Sequence, residues 1–154
     1  MENNLEEILL VEDNPNDVEL VLRSLKKVNL AEKVMVVREG IEALDFLFAK
    51  GAYANRPHPN GLKLILLDLK LPKVDGFEVL KKIKSDERTK MIPVVILSSS
   101  KEERDIRETY RLGANSYVVK AIDFEVFARS LAELGLYWLG LNQSAPPAPK
   151  ESDP

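Results

Sequence analysis

A chain of 154 residues, 45% hydrophobic and 31% charged, is the length of one domain with a full core. Its net charge of −3, with no basic stripe, argues against nucleic-acid binding by bulk electrostatics, and having no cysteine excludes disulfides and thiolate metal sites. The acidic start, Glu2 to Glu7, is unlike a signal peptide, and no run approaches the ~18 apolar residues that span a bilayer, so a soluble, cytoplasmic protein is expected.

In chain order the pattern is strand then helix, five times over. The first strand is predicted over Glu7 to Val11. Asn14-Pro15 then opens a helix with an Asn cap and Pro at the first helical position, and Val18, Leu22 and Leu25 form its apolar stripe. A second strand at Val34 to Val37 precedes a helix at Ile41 to Ala49, which Gly51 is placed to end. Residues Ala52 to Gly61, with Pro57, Pro59 and Asn60, read as a loop longer than the ~2–6 residues usual between helix and strand. His58, set between those prolines, reads as a surface residue.

The third strand is predicted at Leu64 to Asp68. Asp75 and Glu78 have capping-box spacing for the next helix, and a fourth strand follows at Val94 to Leu97. Ser100 and Glu103 repeat that spacing before a polar helix that stops at Gly113. Strand five is Ser116 to Val119, and Asp123 caps the last helix. The ordered domain is expected over residues 5–142. The Pro- and Ser-rich segment 143–154 buries too little to order itself and is expected to be a disordered tail.

Four of these apolar runs end in a polar residue with chemistry to offer: Val11 leads into Glu12-Asp13, Leu67 into Asp68, Leu97 into Ser98, and Val119 into Lys120. Continuous apolar runs separated by helical patterns are strands of a parallel sheet buried on both faces, and the carboxyl ends of such strands share the edge where ligands bind. Three carboxylates, a hydroxyl and an ammonium therefore converge on one crevice. Asp68, ending the central strand, suits a nucleophile toward phosphorus; Glu12 and Asp13 are the hard oxygen ligands Mg²⁺ prefers; Ser98 and Lys120 are donors for phosphoryl oxygens.

This set resembles the receiver domain of two-component response regulators. The resemblance covers about Leu5 to Leu139 and rests on Val11-Glu12-Asp13-Asn14, on Asp68-Leu69-Lys70-Leu71-Pro72 followed by Asp75-Gly76, on Ile96-Leu97-Ser98-Ser99, and on Leu112-Gly113-Ala114 before Tyr117 and Lys120. It implies a doubly wound (βα)5 fold with strand order 2-1-3-4-5. It also implies a phosphoryl group accepted by Asp68 from a phosphohistidine of a sensor histidine kinase. Asp13, Asp68 and the main-chain carbonyl of Lys70 would ligate Mg²⁺ directly, with Glu12 acting mainly through water. Ser98 and Lys120 would grip the phosphoryl oxygens, and Tyr117 matches the family's aromatic switch. The long loop Lys50 to Lys63 and the aromatic end Leu136-Tyr137-Trp138-Leu139 are similar to the small response regulators that work with phytochrome kinases.

One position departs from the family pattern. The family carries proline after the lysine, in a cis peptide, whereas here the residue is Ala121. A non-proline cis bond costs about 2.5–4 kcal/mol, so the loop either holds that strain or goes trans and brings Lys120 in differently. A receiver-like binding module that works without phosphorylation is the alternative this residue favours. An aspartyl-phosphate phosphatase is opposed by Lys70, which stands where a second acid/base carboxylate is needed, and a flavin binder by the repulsion of Glu12-Asp13 toward a phosphate. On the last helix Phe124, Phe127, Leu131, Leu134, Trp138 and Leu141 form a stripe for the sheet to bury. Val126, Leu136, Tyr137 and Leu139 add an apolar excess that predicts a homodimer, against the alternative of a helix folded back on its own domain.

Overall fold

The structure is a computed structural model, described here for residues 6–55, 61–120 and 123–146. The expectations for His58, for the Lys120-Ala121 peptide and for most of the tail (147–154) lie outside the described residues. Among the described residues the chain alternates β1 (Ile8–Val11), α1 (Pro15–Lys26), β2 (Val34–Val37), α2 (Gly40–Phe48), β3 (Leu64–Leu67), α3 (Gly76–Ser85), β4 (Val94–Ser98), α4 (Glu103–Arg111), β5 (Ser116–Val119) and α5 (Phe124–Leu136). The strands form one parallel sheet in the order 2-1-3-4-5, as expected.

Alternation along each strand sends successive side chains to opposite faces and so builds two cores. Leu9, Val11, Ile65, Leu67, Val94 and Ile96 meet Ala43, Phe46 and Leu47 of α2 and Val79, Leu80 and Ile83 of α3. Ile8, Leu10, Leu64, Leu66, Val95 and Leu97 meet Val18, Val21 and Leu25 of α1 and Phe127 and Leu131 of α5. The central strands β1, β3 and β4 are buried along their whole length, whereas β5, at an edge, is half-buried.

Several local expectations hold for the physical reasons given. Asn14 accepts hydrogen bonds from the amides of Asn16 and Asp17, with Pro15 opening α1. Asp75 accepts from the Glu78 amide, and Asp123 from those of Glu125 and Val126. Other expectations need correction. Ala49 (φ 53°), not Gly51, takes the left-handed position that ends α2. Ser100 is not the cap of α4: its hydroxyl donates to Asp105 and accepts from the Glu102 amide, and the helix starts after Glu102. In α5 only part of the anticipated stripe is covered. Phe127 and Leu131 are buried, but Phe124 is 68% exposed and Leu141 76% exposed. Beyond Leu136 the chain continues into a π-helical turn over Tyr137–Leu141.

Candidate functional site

The site is assembled where β1, β3, β4 and β5 end. The ladder carries on past the strands themselves: the Glu12 amide donates to the Val37 carbonyl (3.0 Å), the Asp68 amide to the Val11 carbonyl (3.1 Å) and the Lys120 amide to the Ser98 carbonyl (2.8 Å). These bonds fix the backbone from which Glu12, Asp68 and Lys120 project. A further constraint comes from Gly76. A Cβ built there would lie 2.3 Å from the Asp68 carbonyl oxygen and 2.6 Å from Leu69 Cα, so α3 can start against the end of β3 only if this residue is glycine.

Carboxylate oxygens of Glu12, Asp13 and Asp68 lie within 4.8 Å of one another. Glu12 is 1% exposed and Asp68 6%, while Asp13 faces solvent. Lys120 reaches into this cluster. Its Nζ donates to Glu12 Oε1 (2.8 Å) and to Asp17 Oδ2 (2.9 Å) and lies 3.5 Å from Asp68 Oδ2. Asp68 Oδ1 is 3.5 Å from the Lys70 amide. Ser98, fully buried at the end of β4, accepts from the Ser100 amide (3.1 Å), and the half-buried Tyr117 donates its hydroxyl to the Ser100 carbonyl (2.9 Å). Ser98 and Tyr117 thus both meet the backbone of one residue in the β4–α4 loop.

The electrostatics follow from one ammonium facing three carboxylates, those of Glu12, Asp17 and Asp68. Burial pushes the Glu12 carboxyl up to about 7, against the hydrogen bond from Lys120 and with help from the neighbouring Asp68 charge. Burial acts to lower Lys120, but its bonds to Glu12 and Asp17 outweigh that and hold it well above the usual lysine range. Both groups thus retain protons, Glu12 chiefly because it is buried and Lys120 because of its anionic partners. An all-oxygen, carboxylate-rich donor set of this kind fits a hard divalent cation, and it lacks the nitrogen and sulfur donors that zinc favours.

The structure thus brings Glu12, Asp13, Asp68 and Lys120 together, sets Ser98 and Tyr117 around one loop, and places Lys70 two residues past Asp68. Asp17 is the site residue that sequence reasoning missed. As an acid in the first turn of α1 it looks like an ordinary partner of the helix dipole. The signal available was its place one turn into the helix that leaves the acidic pair.

The chain is 42% identical over 142 residues to the probable methanogenesis regulatory protein FilR2 of Methanothrix harundinacea (strain 6Ac), covering 92% of this chain and 88% of that protein. It is 41% identical over 132 residues to the response regulator Rcp1 of Synechocystis sp. (strain ATCC 27184 / PCC 6803 / Kazusa), covering 86% of this chain and 88% of Rcp1. A Mn(2+)-bound Rcp1 structure superposes with a TM-score of 0.81 at 39% identity over 90% of this chain and 97% of that one. The phosphorylated cyanobacterial phytochrome response regulator RcpA does so with a TM-score of 0.82 at 41% identity and the same coverage. Residues 8–132 match the response regulator receiver domain, and with them the chain belongs to that family.

Proposed function

We propose that Asp68 is the phospho-acceptor of this receiver domain, that the group comes from a phosphohistidine on a sensor histidine kinase, and that the transfer requires Mg²⁺. A carboxylate oxygen of Asp68 attacks phosphorus, the P–N bond to the imidazole breaks, and the electron pair leaves with the imidazole nitrogen, which takes up a proton. Mg²⁺, held by Asp13, Asp68 and the Lys70 carbonyl with Glu12 behind water, would neutralise charge on the phosphoryl oxygens. Lys120 and Ser98 then donate to those oxygens. The reading is carried by the convergence of Glu12, Asp13 and Asp68 within 4.8 Å beside a lysine ammonium.

The output is a shift of populations. A doubly charged phosphate on Asp68 competes for Ser98, which now accepts from the Ser100 amide, while Tyr117 bonds the carbonyl of that same Ser100. Moving this loop gives Tyr117 a reason to change place, and with it the α4–β5 surface that a partner reads. The chain processes no substrate other than the phosphoryl group it carries, so we assign it a switching and not an enzymatic role, in the cytoplasm. The names of RcpA and Rcp1 support a phytochrome-type kinase as partner; that of FilR2 points to a different pathway, which makes the kinase the variable element. The exposed Val126, Leu136, Tyr137 and Leu141 support self-association through the C-terminal helix.

Intact-protein mass after incubation with acetyl phosphate tests the assignment. One phosphoryl gain that needs Mg²⁺ and is lost in Asp68→Asn is expected. No gain under several phosphodonors would sink it in favour of a binding module that works without phosphorylation.

A further inference from the structure

Lys120 has three protons to donate, and two are committed on the side of β1 and α1: to Glu12 Oε1 at 2.8 Å and to Asp17 Oδ2 at 2.9 Å. Asp68, the proposed acceptor, is left at 3.5 Å. The two short partners are not equivalent. Glu12 is enclosed in the crevice and belongs to the acidic cluster around Asp68, whereas the Asp17 side chain is 31% exposed, sits on α1 and is outside that cluster. Asp17 can therefore hold or release the ammonium without disturbing the oxygens that surround the acceptor.

We propose that Asp17 is a positioning residue that restrains Lys120 in the unmodified protein and sets how readily the phosphoryl group is taken up and kept. The ammonium must exchange one of its present partners for a phosphoryl oxygen. The partly exposed Asp17 is the partner given up at least cost, because water reaches it, whereas a released Glu12 keeps the Asn14 amide on Oε2 (3.2 Å) but has no solvent to replace the ammonium. The Asp17 charge acts in the same direction through space. It draws the ammonium away from the transferring group. Asp17 never touches the phosphoryl group; it acts through Lys120. The inference rests on Asp68 being the acceptor only for its kinetic consequence, not for the restraint itself.

The restraint can be measured without phosphorylation. In the full chain labelled with ¹⁵N-lysine, the Lys120 Nζ resonance is identified by its disappearance in Lys120→Met. Asp17→Asn keeps the shape and an acceptor oxygen while removing the charge. It is expected to shift that resonance and to speed exchange of its protons with water several-fold, with Asp17→Ser doing so more strongly. A resonance unchanged by both substitutions would overturn the proposal.

The consequence is measured by intact mass with phosphoramidate and Mg²⁺. Asp17→Asn is expected to accelerate phosphoryl uptake by Asp68 about two- to fivefold, the range of a partly exposed ion pair, and to slow its loss after the donor is removed. In the Lys120→Met background the same substitution should have no effect, since a residue acting through Lys120 is silent without it. An equal effect in both backgrounds, or none in either, would show that Asp17 merely stabilises the first turn of α1. If the wild type takes up no phosphoryl group while the resonance still responds to Asp17, the acceptor assignment fails and the restraint stands.

Discussion

Lys120 Nζ lies 2.8 Å from Glu12 Oε1 but 3.5 Å from Asp68 Oδ2, so the ammonium neutralises the most deeply buried carboxylate of the site before it serves the acceptor. Glu12 is the group that cannot be left alone: it is 1% exposed, and beyond the Asn14 amide on its Oε2 (3.2 Å) its charge is compensated by the ammonium beside it or by a proton.

Removing that ammonium gives the first prediction. Lys120→Met should destabilise the Mg²⁺-free chain by roughly 1–3 kcal/mol, the cost of a buried polar group losing its partner, because Glu12 takes up a proton in place of standing as a naked charge. Adding millimolar Mg²⁺ should recover more stability in the variant than in the wild type, since a cation in the acidic cluster replaces the lost charge. Urea unfolding with and without Mg²⁺ measures both. Equal Mg²⁺ responses in the two proteins would show that cation and ammonium do not share the same charge excess.

Much of the architecture was legible because buried parallel strands leave an unmistakable mark: Leu64-Ile65-Leu66-Leu67 has no polar residue to face solvent with, and its end is where Asp68 must emerge. The same logic delivered Glu12, Ser98 and Lys120. What escaped was set by tertiary choice among local options. Ser100 has capping-box spacing to Glu103, yet its hydroxyl is engaged by Asp105 and the Glu102 amide, a local geometry equally open to serine. Gly135 has low helix propensity, and only the packing shows why a glycine stands there: a Cβ would approach Leu25 Cδ2 to 2.9 Å and Leu30 Cδ1 to 3.0 Å. The stripe on α5 overestimated burial because periodicity marks a face but not how far the sheet beneath it extends.

Gly76 and Gly135 separate backbone from side-chain crowding. Gly76→Ala places its Cβ 2.3 Å from the Asp68 carbonyl, which cannot yield without moving the acceptor, so a loss of about 1–3 kcal/mol is expected despite the better helix propensity of alanine. At Gly135 the obstacles are the ends of two leucine side chains, which can rotate. Gly135→Ala should therefore lie within about 1 kcal/mol of wild type, the propensity gain offsetting the repacking. Denaturant midpoints of both variants check this. A tolerated Gly76→Ala would mean that α3 can shift away from β3.

Lys84 carries the pH prediction. Its ammonium donates to the carbonyls of Lys90 (3.0 Å) and Ile92 (2.8 Å) and to Asn115 Oδ1 (3.1 Å), tying the end of α3 to the approach of β4 and the start of β5. Burial lowers its pKa to about 8 from the ordinary lysine value of 10.5. Between those values the unfolded chain binds more protons than the folded one, so this group makes stability rise with pH across about 8 to 10.5 and contributes no slope below that window. Lys84→Met should flatten the rise and, at pH 7, cost about 1–3 kcal/mol by leaving its acceptors unpaired. Thermal unfolding of the two proteins at pH 7, 8.5 and 10 decides it; an unchanged slope in the variant would assign the rise elsewhere.

The C-terminal helix divides its apolar residues between two tasks. Phe127 and Leu131 are inside, Leu134, Trp138 and Leu139 lean on the same core, and Tyr137 packs edge-on against the Trp138 ring with 5.0 Å between centroids, so the fold has no further use for Leu136 and Leu141. Exposed as they are, their replacement should leave stability within about 0.5 kcal/mol. If they serve a second copy of the chain, the double variant Leu136→Glu with Leu141→Glu should move the mass by light scattering at micromolar protein from dimer to monomer, while the melting temperature extrapolated to low concentration stays the same. Asp68 is not among the residues changed, so phosphoryl uptake from acetyl phosphate serves as the control for an intact site. A wild type that is already monomeric under these conditions, or a double variant that remains dimeric, would remove this helix as the interface and leave its exposed residues to a different partner.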